Sequence, residues 1–427
     1  MGEDLSPAVI RKSVHLATKL PSFASAQASI AATIEVELTT KRVERLARRI
    51  GQERVAERDL DVERWERLPL MKRLIAPPGV KPPQVACVSY DGGRMQRCDL
   101  PDDAKSHWCE TKVGILLEWD APEHAGDPCP ELPDTFANLA KMDQLTREIH
   151  RVAAEKSTPR GSVFHSGARD AAAPGVDGSE TDEHATGPPD PLDQAREAIV
   201  FEPPELLARD VAASLSGSRD FGKQLAARAW SLGFAAALHK AFVADGGSAN
   251  WGIWERHFKH LKFVPILDFI HALTYVYAAA MAGRSAADGG RTYLRWITWV
   301  WQGDVSQTIA EVAAQAAQAG PPDDQTGPTD PRQIVATTLT YLVNQQSRMN
   351  YPQYRRDGLP VTSSHIESTV KQINQRVKGS EKFWTGTGGE ALLQLRADQL
   401  SDTQPLPLYW TRRAHHATGT RNYTKAV

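Results

Sequence analysis

The chain has 427 residues, 41% hydrophobic and 24% charged, and 50 Lys and Arg against 52 Asp and Glu give it a formal net charge of −2. Its length exceeds that of a usual single domain, which predicts a large core with insertions, or two to three domains. The near-neutral balance excludes a protein that coats nucleic acid nonspecifically and leaves any DNA affinity to local basic surfaces.

Residues 1–75 read as an N-terminal helical region. The start, MGEDLSPAVIRKS, has acids where a signal peptide needs basic residues, and no apolar stretch follows, so export is not expected. In SFASAQASIAATIEVELTTKRVERLARRIGQ, Phe23, Ala26, Ile30 and Ile34 share one apolar face, Glu37 to Thr39 form a turn, and Val43, Leu46, Ala47 and Ile50 stripe a second helix. That is a helix-turn-helix-like rhythm. Lys41, Arg42, Arg45, Arg48 and Arg49 fall largely outside the stripe, as a DNA-contacting surface or as the solvated face of a bundle.

Pro-rich IAPPGVKPPQ marks a boundary, and residues 80–156 and 200–271 are expected to form an α/β core. Val85 to Tyr90, Arg94 to Cys98 and Lys112 to Trp119 are strand candidates, with Gly92 and Gly93 in a tight turn after Asp91. Cys87, Cys98, Cys109 and Cys129 contain no Cys-x-x-Cys pair, which predicts reduced thiols rather than a zinc ribbon or a disulfide framework. Residues 157–191 lack apolar periodicity and read as a disordered insertion. A helical stretch from Pro204 to His239, a short apolar run ending at Asp245, a connecting helix and a buried strand from Phe263 to Phe269 complete a mixed sheet whose first and fourth strands can be parallel neighbours. Asp268 and His271 in the apolar run to Ala282 favour a strand and core helix over a membrane span. Residues 272–356 read as a helical insertion broken by the loop GPPDDQTGPTDP, residues 357–400 as a C-terminal helical region, and residues 401–427 as a basic tail.

Three acids stand out: Asp91 in SYDGG, Asp245 in FVADGG and Glu367 in SSHIES. The first two end strand-like runs and the third opens an amphipathic helix, so a fold joining those ends gathers three carboxylates suited to divalent metal and phosphodiester chemistry. Each has a plainer account. Asp-Gly often marks only a turn, Ser364 and Glu367 have capping-box spacing, and Glu367 and Lys371 have that of an intrahelical ion pair. In combination, Glu367, Lys371, Asn374 and Lys378 align beside the buried stripe of Ile366, Val370, Ile373 and Val377, and Arg376 adds charge nearby, a face suited to metal and a phosphate backbone. Phe383 and Trp384 suit stacking on an unpaired base or anchoring of the helix end. Asp268 and His271, three apart, are too few for a structural zinc site and read by default as a buried hydrogen-bonded pair.

The blocks DGGRMQ, HWCETKVGILLEW, FVADGG, ILDFIHAL, QSRMNYPQYRRDGLPVTSSHIESTVKQINQRVKGSEKFW and GGEALLQLRA resemble a bacterial insertion-sequence DDE transposase of the Mutator-like branch, most like the ISKra group, over roughly residues 85–400. The resemblance implies a ribonuclease-H-like mixed sheet with a helical insertion before the third acid. It implies Asp91, Asp245 and Glu367 as catalytic ligands of Mg²⁺ or Mn²⁺, as two ions. Asp268 and His271 match its Cys-or-Asp-x-x-His signature, with a structural or supporting role. Thr362, Ser363 and Ser364 stand where many relatives have Gly-Ser-Gly.

The activity implied is metal-dependent cleavage and strand transfer of insertion-sequence ends. The implied partners are double-stranded DNA, as terminal inverted repeats and target, and further copies of the chain in a synaptic homo-oligomer. Lys41, Arg42, Arg45, Arg48, Arg49, Lys371, Arg376 and Lys378 are the candidate DNA contacts, and the location implied is the bacterial cytoplasm, at the nucleoid when DNA-bound, with no membrane association. The alternatives are a catalytically inactive, transposase-derived DNA-binding protein and a ribonuclease-H-like nuclease without strand transfer.

Overall fold

The computed structural model describes residues 5–101, 104, 106–157, 204–323 and 325–416, so the insertion expected at 157–191 lies outside them except for Ser157. The chain opens with α1 (Pro7–Lys19), α2 (Phe23–Ile34) and α3 (Thr40–Arg67), started by Ser6, Ser22 and Thr39, whose side chains accept from backbone N–H groups of the first turn. Ala26 and Ile30 of α2 and Val43, Leu46, Ala47 and Ile50 of α3 are buried against Ile10, Val14 and Ala17 of α1, so the predicted apolar faces meet. A short helix, α4 (Leu70–Arg73), follows.

Next come β1 (Val85–Arg97) and β2 (Trp108–Asp120), paired antiparallel from Val85↔Trp119 to Gln96↔Trp108. Here the structure corrects the expectation of two strands split by a turn at Gly92 and Gly93: β1 runs straight through both glycines. Close approach is what Gly93 provides. A Cβ there would stand 2.6 Å from Thr111 Oγ1 and 3.0 Å from Asn374 Oδ1, so only glycine lets a helix lie this near the strand.

After α5 (Asp134–Ala137) and α6 (Leu139–Ser157), the third strand is β3 (Glu205–Ser214), inside the stretch expected to be helical; it pairs antiparallel with β2, Val211 opposite Ile115. Then follow α7 (Ser218–Ser231), β4 (His239–Ala244), α8 (Ser248–Ile253) and β5 (Val264–Leu267). The helices α9 (Phe269–Met281), α10 (Ala286–Trp301), α11 (Val305–Ala319), α12 (Pro331–Gln345) and α13 (Tyr351–Arg356) form the helical stretch before α14 (Ser364–Val377). The chain ends in β6 (Phe383–Trp384), α15 (Gly386–Leu400) and α16 (Pro405–His416).

The strands make one open mixed sheet in the order β3-β2-β1-β4-β5, with β6 added on β1. β1, β2 and β3 are antiparallel neighbours, whereas β4 runs parallel to β1 and β5 parallel to β4. Alternation along β1 sends Val85, Cys87 and Met95 into a core shared with α9, α10, α14 and α15, and Ala86, Val88 and Tyr90 into a second core with α7. Cys87, Cys98, Cys109 and Cys129 are free thiols, and burial pushes the Cys87 thiol up to about 12.

Part of the expected basic tail is α16, whose Leu406 and Tyr409 join the core of the N-terminal helices. Its Arg412 pairs with Glu57 at 2.8 Å and Arg413 pairs with Glu53, which neutralises these charges against α3. Residues 417–427 lie outside the described residues. Among the described residues no helix is long and apolar enough to cross a membrane.

Candidate active site at the carboxyl edge of the sheet

The register of two parallel strands places the first two acids. β1 and β4 pair from Val85↔His239 to Ser89↔Val243, and Asp91 and Asp245 each stand two residues beyond the last pair. The sequence offset is the same along the ladder and at the acids, 239 − 85 = 154 and 245 − 91 = 154. Neighbouring strands lie about 4.8 Å apart, so the equal offset places both residues at the same edge of the sheet. Both belong to the face that packs α14, because Asp91 shares the parity of Cys87 and Met95 and Asp245 that of Ala241 and Val243.

Asp245 is held by its own loop. Its Oδ1 accepts from Gly247 N at 2.9 Å and from Asn250 Nδ2 at 2.6 Å. The helical insertion closes over the same turn: Tyr341 of α12 donates to the Asp245 carbonyl at 2.8 Å and Gln345 to that of Gly246 at 3.1 Å. Asp91 Oδ1 accepts from Gly92 N at 2.6 Å.

Glu367 stands in the first turn of α14. The capping box weighed as the plainer account does not form: Ser363, not Ser364, is the N-cap, and its hydroxyl is spent on Asp268. Among the described residues no hydrogen bond reaches the Glu367 carboxylate. Burial, reinforced by Asp268 and Asp91 and opposed by His271 and Lys371, pushes that carboxyl up to about 7. Lys371 itself lies 3.8 Å from Glu148 of α6.

Asp268 and His271 form the predicted buried pair, His271 Nδ1 to Asp268 Oδ2 at 2.5 Å. Asp268 is fully buried and also accepts from Ile270 N at 3.3 Å, Ser363 N at 3.0 Å and Ser363 Oγ at 2.9 Å. One carboxylate thus ties the start of α9 to the start of α14. Burial opposes the charged imidazole, but the Asp268 hydrogen bond and the charges of Asp268, Glu367 and Asp245 carry His271 up to about 10.

Ligand atoms of Asp268, His271 and Glu367 lie within 4.8 Å of one another, but that geometry alone does not make the three a ligand set. Asp268 has its acceptor positions filled by four donors, and an imidazolium has no lone pair to give. Asp91, Asp245 and Glu367 are the oxygen donors suited in type to hard divalent cations, although their ligand atoms, unlike those of Asp268, His271 and Glu367, do not all lie within 4.8 Å of one another. Asp91, Asp245 and Glu367 would hold the ions, and Asp268 and His271 would position Glu367.

The basic candidates divide. Lys41, Arg45 and Arg48 are exposed on α3, Arg42 and Arg49 are half-buried, and Lys41 pairs with Glu44 at 3.0 Å. Lys371 is half-exposed on α14 and Lys378 caps the end of that helix. Arg376 is a correction. It is 2% exposed, donates to the carbonyls of Ala17 and Pro21, and sits between the rings of Phe23 and Trp384, because its long side chain bridges α14 to the N-terminal helices. It is therefore no surface contact for a duplex.

Sequence reasoning missed Ser363, Asn250, Tyr341 and Gln345. Asn250, five residues after Asp245, was within reach of a local argument, whereas nothing local announces Tyr341 or Gln345, about a hundred residues away. Comparison with protein-family models and with curated proteins finds no match for this chain.

Proposed function

We propose that the chain is a DDE transposase with a ribonuclease-H-like core, which cleaves and transfers the strands of insertion-sequence ends with Mg²⁺ or Mn²⁺. The observation that carries this is the equal offset of Asp91 and Asp245 beyond the parallel β1–β4 ladder, with Glu367 in the first turn of α14 close enough for the Asp91 charge to act on it. The sheet order β3-β2-β1-β4-β5 is compatible with such a core, as is the helical insertion between β5 and α14. The sequence blocks quoted above supply the family resemblance.

Two ions held there would supply charge stabilisation for in-line attack on a phosphodiester, first by water and then by the freed 3′ hydroxyl. The protein's own contribution is to hold and aim the carboxylates. Asp245 is fixed by Asn250 and by the clasp of Tyr341 and Gln345, so strand β4 presents its acid at a constant depth. Glu367 titrates near 7, so its proton must leave before it can serve as a ligand, and the His271 cation favours that loss.

The test is Asp245→Asn, which removes one negative charge with little change of shape. Loss of several kcal/mol of charge stabilisation corresponds to a fall of about a thousandfold in Mg²⁺-dependent nicking and in transfer of precleaved ends alike. End binding should survive. Wild-type rates in this variant would sink the proposal, nicking without transfer by the wild type would leave a nuclease, and binding without either would leave an inactive DNA-binding relative.

A further inference from the structure

We propose that the cleft between the N-terminal helices and the β6–α15 segment holds a single unpaired nucleotide of a DNA end, with its phosphate at Arg48 and Lys382 and its base on Phe383. The proposal rests on the DNA-processing function above. The cleft encloses about 540 Å³, with Phe23, Lys41 and Arg48 on one wall and Lys382, Phe383 and Trp384 on the other. That lies within the roughly 300–1,000 Å³ of small-ligand sites, large enough for one nucleotide and far too small for a duplex.

Charge is the first argument. Arg376 belongs to the lining and is 2% exposed. Its Nε donates to the Ala17 carbonyl at 2.9 Å and its Nη1 to that of Pro21 at 3.4 Å, while its Nη2 is buried without an acceptor. The guanidinium lies 4.5 Å from the Phe23 ring and 5.3 Å from the Trp384 ring. Among the described residues Arg48, Arg376 and Lys382 form no salt bridge, although the Glu381 charge acts on Lys382. A buried cation without an anion is costly, so this seam favours an incoming negative group. Burial takes Arg376 down to about 10, and burial together with Arg376 lowers Lys382. The lining carries four cations, Lys41, Arg48, Arg376 and Lys382, against two carboxylates, Glu44 and Glu381, so the local excess is positive.

An exposed ring is the second argument. Phe383 is 48% exposed at the cleft, and among the described residues its ring contact is an edge contact to His107 at 6.1 Å. Pairing of β6 with β1 at Gln96↔Phe383 holds it in place. Five residues of β1 separate Gln96 from Asp91, about 16 Å at the usual rise, so the cleft lies along the strand that carries the first acid. Cations beside an open aromatic face are the chemistry that takes single-stranded nucleic acid.

The experiment is binding in EDTA of a duplex carrying one unpaired terminal 2-aminopurine, on either the 3′ or the 5′ strand, against the same duplex with blunt ends. One overhang should bind more tightly and lose fluorescence by stacking. Phe383→Ala should abolish that quenching and cut the overhang preference about tenfold, within what one base–aromatic stack contributes, with blunt affinity unchanged. Exposed Cys98 lines the same cleft, so its alkylation should slow with the overhang and not with the blunt duplex. Equal affinities with unchanged Cys98 alkylation would overturn the proposal. So would equal protection by free dAMP, which would make the cleft a mononucleotide site. Because no cleavage is measured, failure here leaves the Asp245→Asn test intact, and failure of that test leaves this one to stand on binding alone.

Discussion

Two charged regions of this molecule follow opposite rules. In the seam where α15 lies on α3 and β3, the buried charges are matched: Arg54 grips Asp398 through Nε at 2.8 Å and Nη2 at 3.3 Å, and Arg228 grips Asp210 at 2.7 Å and 2.5 Å. At the carboxyl edge of the sheet, Asp91, Asp245 and Glu367 accompany the matched pair of Asp268 with His271, and among the described residues no hydrogen bond reaches the Glu367 carboxylate. A seam of matched forks fixes geometry and attracts nothing further. An edge with surplus carboxylate is destabilised until a cation arrives, and that surplus is what distinguishes a ligand set from a structural network.

The comparison breaks most visibly if the seam is unpaired. Asp398→Ala leaves the Arg54 guanidinium buried without its bidentate partner, in a seam so close that a Cβ on Gly51 would stand 2.5 Å from the Ala391 carbonyl. Loss of about 3–5 kcal/mol is expected in chemical denaturation. Replacing both partners by apolar residues of similar volume, Arg54→Met with Asp398→Leu, should recover most of it. A single variant as stable as wild type would show that the seam is not held by charge.

Asp268→Asn probes the Asp268–His271 pair at the edge and should cost less, about 1.5–3 kcal/mol, the range for hydrogen bonds to a charged group. An amide still accepts from Ser363 but no longer balances the imidazolium. His271 should therefore titrate well below 10 by NMR; an unchanged titration would show that other acids hold its charge.

Glu367→Gln sharpens the comparison through pH. Glu367 has an ordinary value of 4.5 and a folded value of about 7, so the native state holds this proton more tightly than the unfolded chain. Its contribution is full below pH 4.5 and declines as pH rises through 7. Between pH 4.5 and 6.5 the wild-type melting temperature, without metal, should fall with a stability change on the order of 1–2 kcal/mol, allowing for partial exposure, while the variant stays level. Above pH 6.5, His271, raised to about 10, adds a decline that both proteins share. Mg²⁺ at pH 8 should raise the melting temperature of the wild type more than that of the variant. A wild type as level as the variant would mean that Glu367 is not desolvated.

What the sequence made legible was local and periodic. Two amphipathic stripes fixed α2 and the start of α3, and an apolar run with Asp268 and His271 gave β5 and α9 in order. Legibility failed where a residue's reason lies elsewhere in the chain. Gly92 and Gly93 look like a turn because the neighbours that need the space lie elsewhere in the chain, Glu110 beside Gly92 and Thr111 and Asn374 beside Gly93, the last on a helix some 280 residues later. β3 reads as helix because ELLARDVAAS is rich in Leu and Ala, and only pairing with β2 makes it a strand. The placement of Asp91 and Asp245 at one edge required the β1–β4 register, which the sequence allows without specifying. Arg376 looked like a phosphate contact because charge, but not burial, is visible in one dimension.

The smallest effect concerns the basic face of α3. Of its five cations, Lys41 is tied to Glu44 and Arg42 and Arg49 are half-buried, while Arg48 lines the cleft, which leaves Arg45 as the exposed charge aimed at neither. If α3 tracks a duplex backbone, Arg45→Ala removes about one phosphate contact, so affinity for terminal-repeat and unrelated DNA should fall alike and the salt slope should drop by about 1. Arg48→Ala should differ from it by acting on the overhang and sparing the blunt duplex. The fold should be unaffected in both, since neither side chain carries a buried contact. A salt slope that Arg45→Ala leaves unchanged would make this face solvated surface of the helical unit and move duplex binding to Lys371 and Lys378, beside the acids themselves.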